Sequence, residues 1–159
     1  MSEVSLLEEI FAKFAEDEVA IRNEYATKKS KVFSKYDCSN CSQRGECYYN
    51  DKIYEECKNR EKEEYDNIEN EEINKISDLY SEYMEKLEQL GFEVEFEGGD
   101  KDCFFITPPG YKYYYIYSIY KVNNKKTGKT YIARVSIEEY NKPWGETTYG
   151  IGSIEVWEE

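Results

Sequence analysis

Residues 73–98 contain the change from helical to strand periodicity, INKISDLYSEYMEKLEQLGFEVEFEG. Up to Gly91 the apolar residues recur every three or four positions, as they do on one face of a helix. After Gly91, Phe92, Val94 and Phe96 alternate with glutamates, which is typical of a strand with one face in water. Glycine suits the left-handed position that follows a helix end. We therefore expect the chain to change from helix to sheet at this glycine.

Two long helices are expected before the change. The first begins near Ser5, because a glutamate three positions later completes the spacing of a capping box, and its apolar stripe extends to about residue 36. The second begins at Asn50 or Asp51, both favourable N-cap residues. The short connection requires the two helices to run antiparallel. We predict a helical hairpin over residues 1–91 as the first of two domains.

The second predicted domain is an antiparallel sheet over residues 92–159, packed on the base of the hairpin. Turn signals rich in Gly, Pro and Asn separate its short runs, and no crossover helix lies between them. Five strands are expected, near residues 92–97, 102–107, 111–122, 130–138 and 149–157. The predicted fold class is α+β, a long antiparallel helical hairpin with a Cys-rich tip followed by a five-stranded antiparallel sheet.

Acidic side chains are concentrated in the middle of the chain. The net charge is −13, and residues 37–91 contain 16 acidic and 7 basic side chains. A negative field repels nucleic acid phosphates and anionic lipid, whereas it accelerates encounter with basic protein surfaces. A well-solvated helix is the simpler interpretation of the same charges. With no apolar run of about 20 residues and no secretory signal, the expected location is cytoplasmic, in the host cytoplasm if the protein is viral.

Four of the five cysteines lie in one window, at Cys38, Cys41, Cys47 and Cys57. Cys38 and Cys41 have the spacing of a zinc half-site, and four thiolates would complete the tetrahedron of a structural zinc ion. The interval between Cys47 and Cys57 is too long for a second short half-site. We predict a structural zinc ion bound by these four residues.

Two disulfides are the alternative to zinc. A bond between Cys38 and Cys57 would join the two helices, and Cys41 would then pair with Cys47 inside the loop. Such bonds require an oxidising compartment or the cytosol of a hyperthermophile. An iron–sulfur site is less suitable, because the spacing matches neither common ferredoxin pattern. Cys103 is expected to be a small buried core residue.

The chain contains no histidine. This removes the commonest general base and the Ser-His-Asp and Cys-His nucleophile systems. The carboxylate pairs Asp100/Asp102 and Glu138/Glu139 are explained by a turn and by a strand end. We predict no catalytic residues and expect a protein that is not an enzyme.

Tyrosines alternate along the third predicted strand. Tyr111, Tyr113, Tyr115 and Tyr117 lie on one face of the strand. Core filling and cross-strand pairing would explain them, but rings in a row can also stack on sugars or on single-stranded bases. These four residues are the candidate ligand-binding set of our second functional hypothesis, a module for carbohydrate or single-stranded nucleic acid.

The first functional hypothesis is a non-enzymatic interaction protein, an inhibitor or accessory factor. Its cysteine-stabilised hairpin would dock on a basic surface or channel of a larger complex. Direct nucleic acid binding and membrane binding are not expected, and the helical stripes are compatible with a homodimer. The candidate partner-binding residues are acidic side chains of the second helix: Glu55, Glu56, Glu61, Glu63, Glu64, Asp66 and Glu69.

Overall fold

A computed structural model describes residues 2–159 of the protein, with the exception of the Gln43 and Arg44 side chains. Long helices precede an antiparallel sheet, so the architecture is broadly α+β. The helices are α1 (Glu3–Lys35), α2 (Cys38–Cys41), a 3-10 helix (Gln43–Tyr48) and α3 (Asp51–Gln89). The strands are β1 (Phe92–Cys103), β2 (Lys112–Asn124), β3 (Thr130–Asn141) and β4 (Thr147–Glu158), in the sheet order β1-β2-β3-β4. Within the described range, no helix has the length and apolar character of a membrane span.

Local capping determines where the two long helices begin and end. Ser2, rather than Ser5, caps α1, because its hydroxyl oxygen accepts a hydrogen bond from the Ser5 main-chain N–H at 3.1 Å. Asn50 caps α3 by accepting hydrogen bonds from two main-chain N–H groups of the first turn. Gly91 follows α3 with a φ of 93°, a conformation that favours glycine.

Helices α1 and α3 lie side by side and run antiparallel. The Tyr83 hydroxyl, near the end of α3, donates a hydrogen bond to Asp17 in α1 at 2.6 Å. At the other end, the Lys35 ammonium lies 3.1 Å from the Glu64 carboxylate. Residues later in α1 therefore contact residues earlier in α3, which is the arrangement of an antiparallel hairpin.

The prediction of five strands is wrong, because the first two predicted strands are one continuous strand. Phe96 pairs with Tyr120 and Gly98 pairs with Ile119, so Glu97 is an extra residue in β1. Gly98 has a φ of 143°, and its neighbour Gly99 lies close to the β2 main chain. A β-bulge uses glycine for the same conformational freedom as a turn does. The glycines therefore bend β1 without reversing it, and residues 104–107 lie in the loop before β2.

One face of the sheet is covered by the helices, and a single core joins the two layers. Phe11 and Phe14 of α1 pack against Tyr120 of β2, with ring centroids 5.2 and 6.4 Å apart. The core also contains aliphatic and aromatic residues from both long helices and all four strands: Leu7, Leu79, Tyr83, Leu87, Phe92, Val122, Tyr131, Val135 and Val156.

A side chain of α1 also covers the exposed edge of β4. The Asn23 amide nitrogen donates to the Tyr149 carbonyl at 3.0 Å, and the Asn23 oxygen accepts from the Tyr149 N–H at 2.7 Å. The carboxamide thus takes the place of a neighbouring strand residue, which satisfies edge groups that could otherwise pair with another chain. Contacts between α1 and the sheet therefore extend well beyond the base of the hairpin.

The apolar stripe of α3 is buried only in part. Leu79, Tyr83 and Leu87 are buried, but Ile73 is 56% exposed. Phe96 of β1 is also half exposed, and the two residues line an open groove of about 530 Å³. The stripe extends farther along α3 than the sheet that covers it.

Candidate interaction surfaces at the hairpin tip and on the sheet

The tip of the hairpin, residues 36–57, is cross-linked by two disulfides. Cys38 is bonded to Cys47, with Cα atoms 5.1 Å apart, and Cys41 is bonded to Cys57, with Cα atoms 6.1 Å apart. The first bond joins α2 to the 3-10 helix within the loop, and the second joins α2 to α3. Each bond stabilises the tip by about 3 kcal/mol on a chain-entropy estimate, since the partners are 9 and 16 residues apart.

The zinc prediction is corrected by these bonds. A zinc ion requires thiolates, and all four sulfur atoms are already paired in disulfides. Among the residues that the structure describes, no group of three or more His, Cys, Asp or Glu side chains could hold a metal ion. The four cysteines do lie together at the tip, but they form two disulfides rather than a metal site.

The disulfide pairing also differs from the alternative considered from the sequence, Cys38–Cys57 with Cys41–Cys47. The reason is the short helix α2, which places Cys38 and Cys41 one turn apart. The following 3-10 helix reverses the chain and returns Cys47 to Cys38. Cys41 is then left facing α3, where it meets Cys57. Local helix formation in the loop therefore decided the pairing.

The disulfides form a small core of their own, separate from the main one. Cys38, Cys47 and Cys57 are buried, and Ile53 packs against them. The Ser42 hydroxyl bridges two parts of this loop, because it donates to the Cys38 carbonyl at 3.2 Å and accepts from the Cys47 N–H at 3.0 Å. The tip therefore has a defined shape although few apolar residues lie within it.

Three tyrosines on this tip face the solvent. Tyr48, Tyr49 and Tyr54 are 69%, 73% and 46% exposed. None of them belongs to either apolar core. Exposed aromatic residues on a rigid element are typical of the anchor positions of protein interfaces. The sequence contains a signal for them, the Tyr48-Tyr49 pair beside the cysteines, which charge and cysteine spacing alone do not reveal.

The seven acidic residues predicted to bind a partner separate into groups. Glu61 and Glu64 are paired within the chain, with Lys58 at 3.6 Å and Lys35 at 3.1 Å. Hydrogen bonds from Tyr36 and Lys35 lower the pKa of Glu64. Glu69 is half-buried in a polar cleft between the hairpin and the sheet.

The remaining acidic residues, Glu55, Glu56, Glu63 and Asp66, are exposed. None of them forms a salt bridge with a side chain that the structure describes. They are the members of the predicted set that are available to a basic partner, and Glu55 and Glu56 lie directly beside Tyr54 at the tip.

The predicted tyrosines lie on the face of the sheet opposite the helices. Tyr120 and Val122 of β2 are in the helix-covered core, so the alternate residues Tyr113, Tyr115 and Tyr117 point outward. Tyr111 immediately precedes β2 and continues their line. All four are half-buried, mainly by one another and by other rings rather than by a covering element.

Three further rings, which the alternation along β2 did not predict, join these four. Phe104 stacks on Tyr115 with centroids 4.1 Å apart, Tyr140 of β3 lies 4.9 Å from Tyr113, and Trp144 lies 5.9 Å from Tyr111. The cross-strand register, which pairs Tyr113 with Tyr140, would have indicated one of them. We refer to the seven residues as the aromatic row: Phe104, Tyr111, Tyr113, Tyr115, Tyr117, Tyr140 and Trp144.

The neighbouring carboxylates Glu138 and Glu139 point to opposite faces of β3, so they do not form a pair. Glu139 is buried and accepts from Lys101, Asn141 and Tyr149 at 3.0, 2.9 and 3.1 Å. Burial favours a higher pKa for Glu139, but the hydrogen bonds from Asn141 and Lys101 outweigh it, and the pKa is lowered. This carboxylate is held ionised by its neighbours, as in a structural polar cluster.

Two smaller expectations are corrected in β1. Asp100 and Asp102 lie in the strand rather than in a turn, because the preceding glycines form a bulge. Cys103 is exposed at the end of the strand and forms no disulfide, whereas a buried residue was expected. β1 is an edge strand, so its last residues are covered on one side only.

The chain matches no protein-family model, no curated protein and no solved structure.

Proposed function

We propose that this protein is a non-enzymatic interaction protein that docks the disulfide-fixed tip of its helical hairpin on a basic surface of a larger complex. The observation that carries the proposal is the exposure of Tyr48, Tyr49 and Tyr54 on a cross-linked tip, beside exposed carboxylates.

Rigidity supports this role. A side chain that is ordered before binding loses less conformational entropy in a complex than one on a mobile loop. One disulfide closes the loop on itself and the other holds it against α3, so the tyrosines are presented on a preformed surface. Tyrosine also contributes a large contact area at a low entropic cost, because it has only two side-chain torsions.

Charge supports a basic partner. Glu55, Glu56, Glu63 and Asp66 are exposed along one flank of α3, next to the tip. Complementary charge at the edge of an interface mainly accelerates association and suppresses wrong partners. The tyrosines would then supply most of the affinity, and the carboxylates would supply the preference for a basic surface.

The location of the protein is part of the proposal. Disulfides persist in oxidising compartments and in the cytosol of hyperthermophiles. A cytoplasmic location is therefore consistent with this tip only in the second of these settings. Otherwise the partner is expected outside the cytoplasm.

A charge-matched pull-down tests the proposal. The oxidised protein is immobilised, a lysate of the source organism is passed over it, and retained proteins are eluted with salt. We expect a basic protein that is retained at low ionic strength and released by about 0.5 M salt, where charges are screened within a few ångströms. The immobilised variant Glu55→Lys/Glu56→Lys should no longer retain this basic protein.

The matched control is Glu8→Lys/Glu9→Lys, which makes the same change of charge at two exposed glutamates near the opposite end of the hairpin. It should retain the partner. Tyr48→Ala/Tyr49→Ala should weaken purified-partner binding by at least about tenfold, the loss expected of anchor residues. Equal loss with both charge variants, or retention that is insensitive to salt, would contradict docking through the tip.

A further inference from the structure

The outer face of the sheet carries a second surface with a different chemistry from the tip. We propose that the aromatic row binds a neutral glycan, a chain of pyranose sugars, with Trp144 and Tyr111 as the principal stacking residues. This inference does not depend on the proposed function of the hairpin, because the two surfaces share no residue.

The row is continuous and uncovered. Neighbouring ring centroids are 5.9 Å apart from Tyr117 to Tyr115, 4.1 Å from Tyr115 to Phe104, and 5.6 Å from Phe104 to Tyr113. Along β2 the positions from 111 to 117 span about 20 Å. A contiguous line of rings on the solvent-facing side of a sheet is typical of a binding surface. The length of the row suits an extended chain of sugar rings better than a single small molecule.

The tyrosines also provide hydrogen-bonding groups at the surface. Within the described part of the chain, the hydroxyls of Tyr113, Tyr115 and Tyr117 take part in no hydrogen bond, and none of them is buried without a partner. Each phenol therefore combines an apolar ring with a free donor and acceptor. A pyranose ring has the complementary character, with C–H groups on its faces and hydroxyls around its rim.

Charge around the row favours a neutral ligand over a nucleic acid. Asp100 and Asp102 of β1 lie directly across from Tyr117 and Tyr115. On the other side, Glu138 accepts a hydrogen bond from the Tyr140 hydroxyl. Phosphates beside these carboxylates would be repelled, whereas carboxylates are good acceptors for sugar hydroxyls.

Among the side chains that the structure describes, one cation lies on the row, and its charge is paired with a carboxylate. The Arg134 guanidinium lies over the Tyr117 ring at 4.4 Å and also pairs with Glu155 at 3.5 Å. It therefore gives little net attraction for a phosphate. Its planar group instead extends the stacking surface beyond Tyr117.

Trp144 is fixed in position at one end of the row. Its indole N–H donates to Glu146 at 2.8 Å, and its ring contacts Tyr111 edge to face. The side chain is nevertheless 64% exposed, so most of the ring is available. A fixed and exposed indole is the largest stacking area that the row offers to a sugar.

The experiment uses the two tryptophans of the chain. The variant Trp157→Phe leaves Trp144 as the only tryptophan, so its fluorescence reports on the row. Cellohexaose, xylohexaose and mannohexaose are titrated separately, and binding is confirmed by calorimetry. We expect a saturable blue shift with at least one of them, and an affinity that changes little with salt because the ligand is uncharged.

Variants then locate the site. Calorimetry with Trp144→Ala and with Tyr111→Ala should show binding weakened at least about tenfold, as for central stacking residues. The matched control is Tyr48→Ala/Tyr49→Ala, which removes exposed rings from the tip and should leave glycan binding unchanged. Circular dichroism confirms that each variant is folded, and both row positions are chosen because neither belongs to the main core.

Four results would overturn the proposal. These are binding of none of the three hexasaccharides, unchanged binding by both row variants, and an equal loss in the tip control. The fourth is evidence that something other than a glycan occupies the row. This would be salt-sensitive binding of oligo(dT) that Trp144→Ala abolishes, or a dimer in analytical ultracentrifugation that the same variant dissociates. If the glycan proposal fails, the tip-docking proposal is unaffected, since the tip variants are tested separately with a basic partner.

Discussion

The two ends of the helical hairpin are held together by different forces. At the base, Leu7, Phe11 and Leu87 belong to a core that includes both long helices and all four strands. Among the described side chains of the tip, the buried cluster consists of three half-cystines with Cys41 and Ile53 packed against it. The base is stabilised by burial of apolar area, and the tip is stabilised by covalent bonds.

This difference follows from how the two ends are surrounded. The sheet covers the base, so each large side chain there is packed on several sides. The tip projects beyond the sheet, and a two-helix element surrounded by water cannot bury enough apolar area to order a loop. Disulfides act on the unfolded chain instead and need no covering layer. The contrast predicts that the two ends respond separately to mutation.

The largest effect is expected from the core at the base. Phe11 is fully buried and packs on Tyr120, so Phe11→Ala should lower the free energy of unfolding by about 3–5 kcal/mol, as for large-to-small core substitutions. The measurement is urea denaturation followed by circular dichroism. Phe33→Ala is the control, because Phe33 stacks on Tyr65 but is half exposed, and it should cost far less. Similar losses for both variants would contradict a core concentrated at the base.

The next effect is confined to the tip. Replacing Cys41 and Cys57 by serine should destabilise the tip by about 3 kcal/mol, the loop-closure contribution of one disulfide. Amide hydrogen exchange should become faster in residues 37–57 and stay unchanged in β2 and β3. Cys103→Ser is the control, since Cys103 is free. Faster exchange throughout the sheet would show that the two ends are not independent.

A smaller effect is expected between the two ends, where ion pairs join α1 and α3. The Lys29 ammonium lies 3.0 Å from Glu72, and both side chains are mostly buried. Glu72→Gln would leave a buried ammonium without its counter-ion and should cost about 2 kcal/mol. Glu64→Gln removes the corresponding exposed partner of Lys35 and should change the urea midpoint very little. Equal changes would mean that burial does not distinguish the two pairs.

The smallest effect depends on pH. The hydrogen bond from Tyr83 lowers the pKa of Asp17 below its ordinary value of 3.8. A lowered pKa in the folded state stabilises the protein above that ordinary value, and the stabilisation is lost as the pH falls through the lower folded value. We expect Asp17→Asn to remove this contribution, about 1 kcal/mol or less for a carboxylate that is one-third exposed.

Urea midpoints measured between pH 6 and about pH 2 test this linkage. The wild-type protein should lose stability over the acid range more steeply than Asp17→Asn. Glu9→Gln, at an exposed position of α1, should follow the wild-type curve. Parallel curves for the wild-type protein and Asp17→Asn would contradict a role for this carboxylate in acid stability.

Periodicity was a good guide to the elements and a poor guide to their interruptions. The helix that begins at Asn50 and stops before Gly91 follows from capping residues and an apolar stripe, both of which are local. The break expected at Gly98 did not occur, because a bulge and a turn use the same residue. Only the pairing of β1 with β2 across that point distinguishes them.

The candidate surfaces show the same division between features that local sequence predicts and features that depend on distant contacts. Clustering of four cysteines was visible in the sequence, but the pairing depended on α2 and the 3-10 helix. Alternation placed the predicted tyrosines on one face of a strand, yet it could not show that this face is the one without helices. Phe104, Tyr140 and Trp144 join them through loops and a neighbouring strand, so no local pattern contained them.

The amino-acid sequence by itself determined the long helices, the change to strands at Gly91, the acidic flank and the presence of four neighbouring cysteines. Each of these depends on residues that are close together along the chain, where capping, periodicity and charge act directly. The tertiary structure alone decided the number of strands, the partners of the cysteines and the exposed face of the sheet. Those features are set by contacts between distant residues, whose geometry depends on how the whole chain packs.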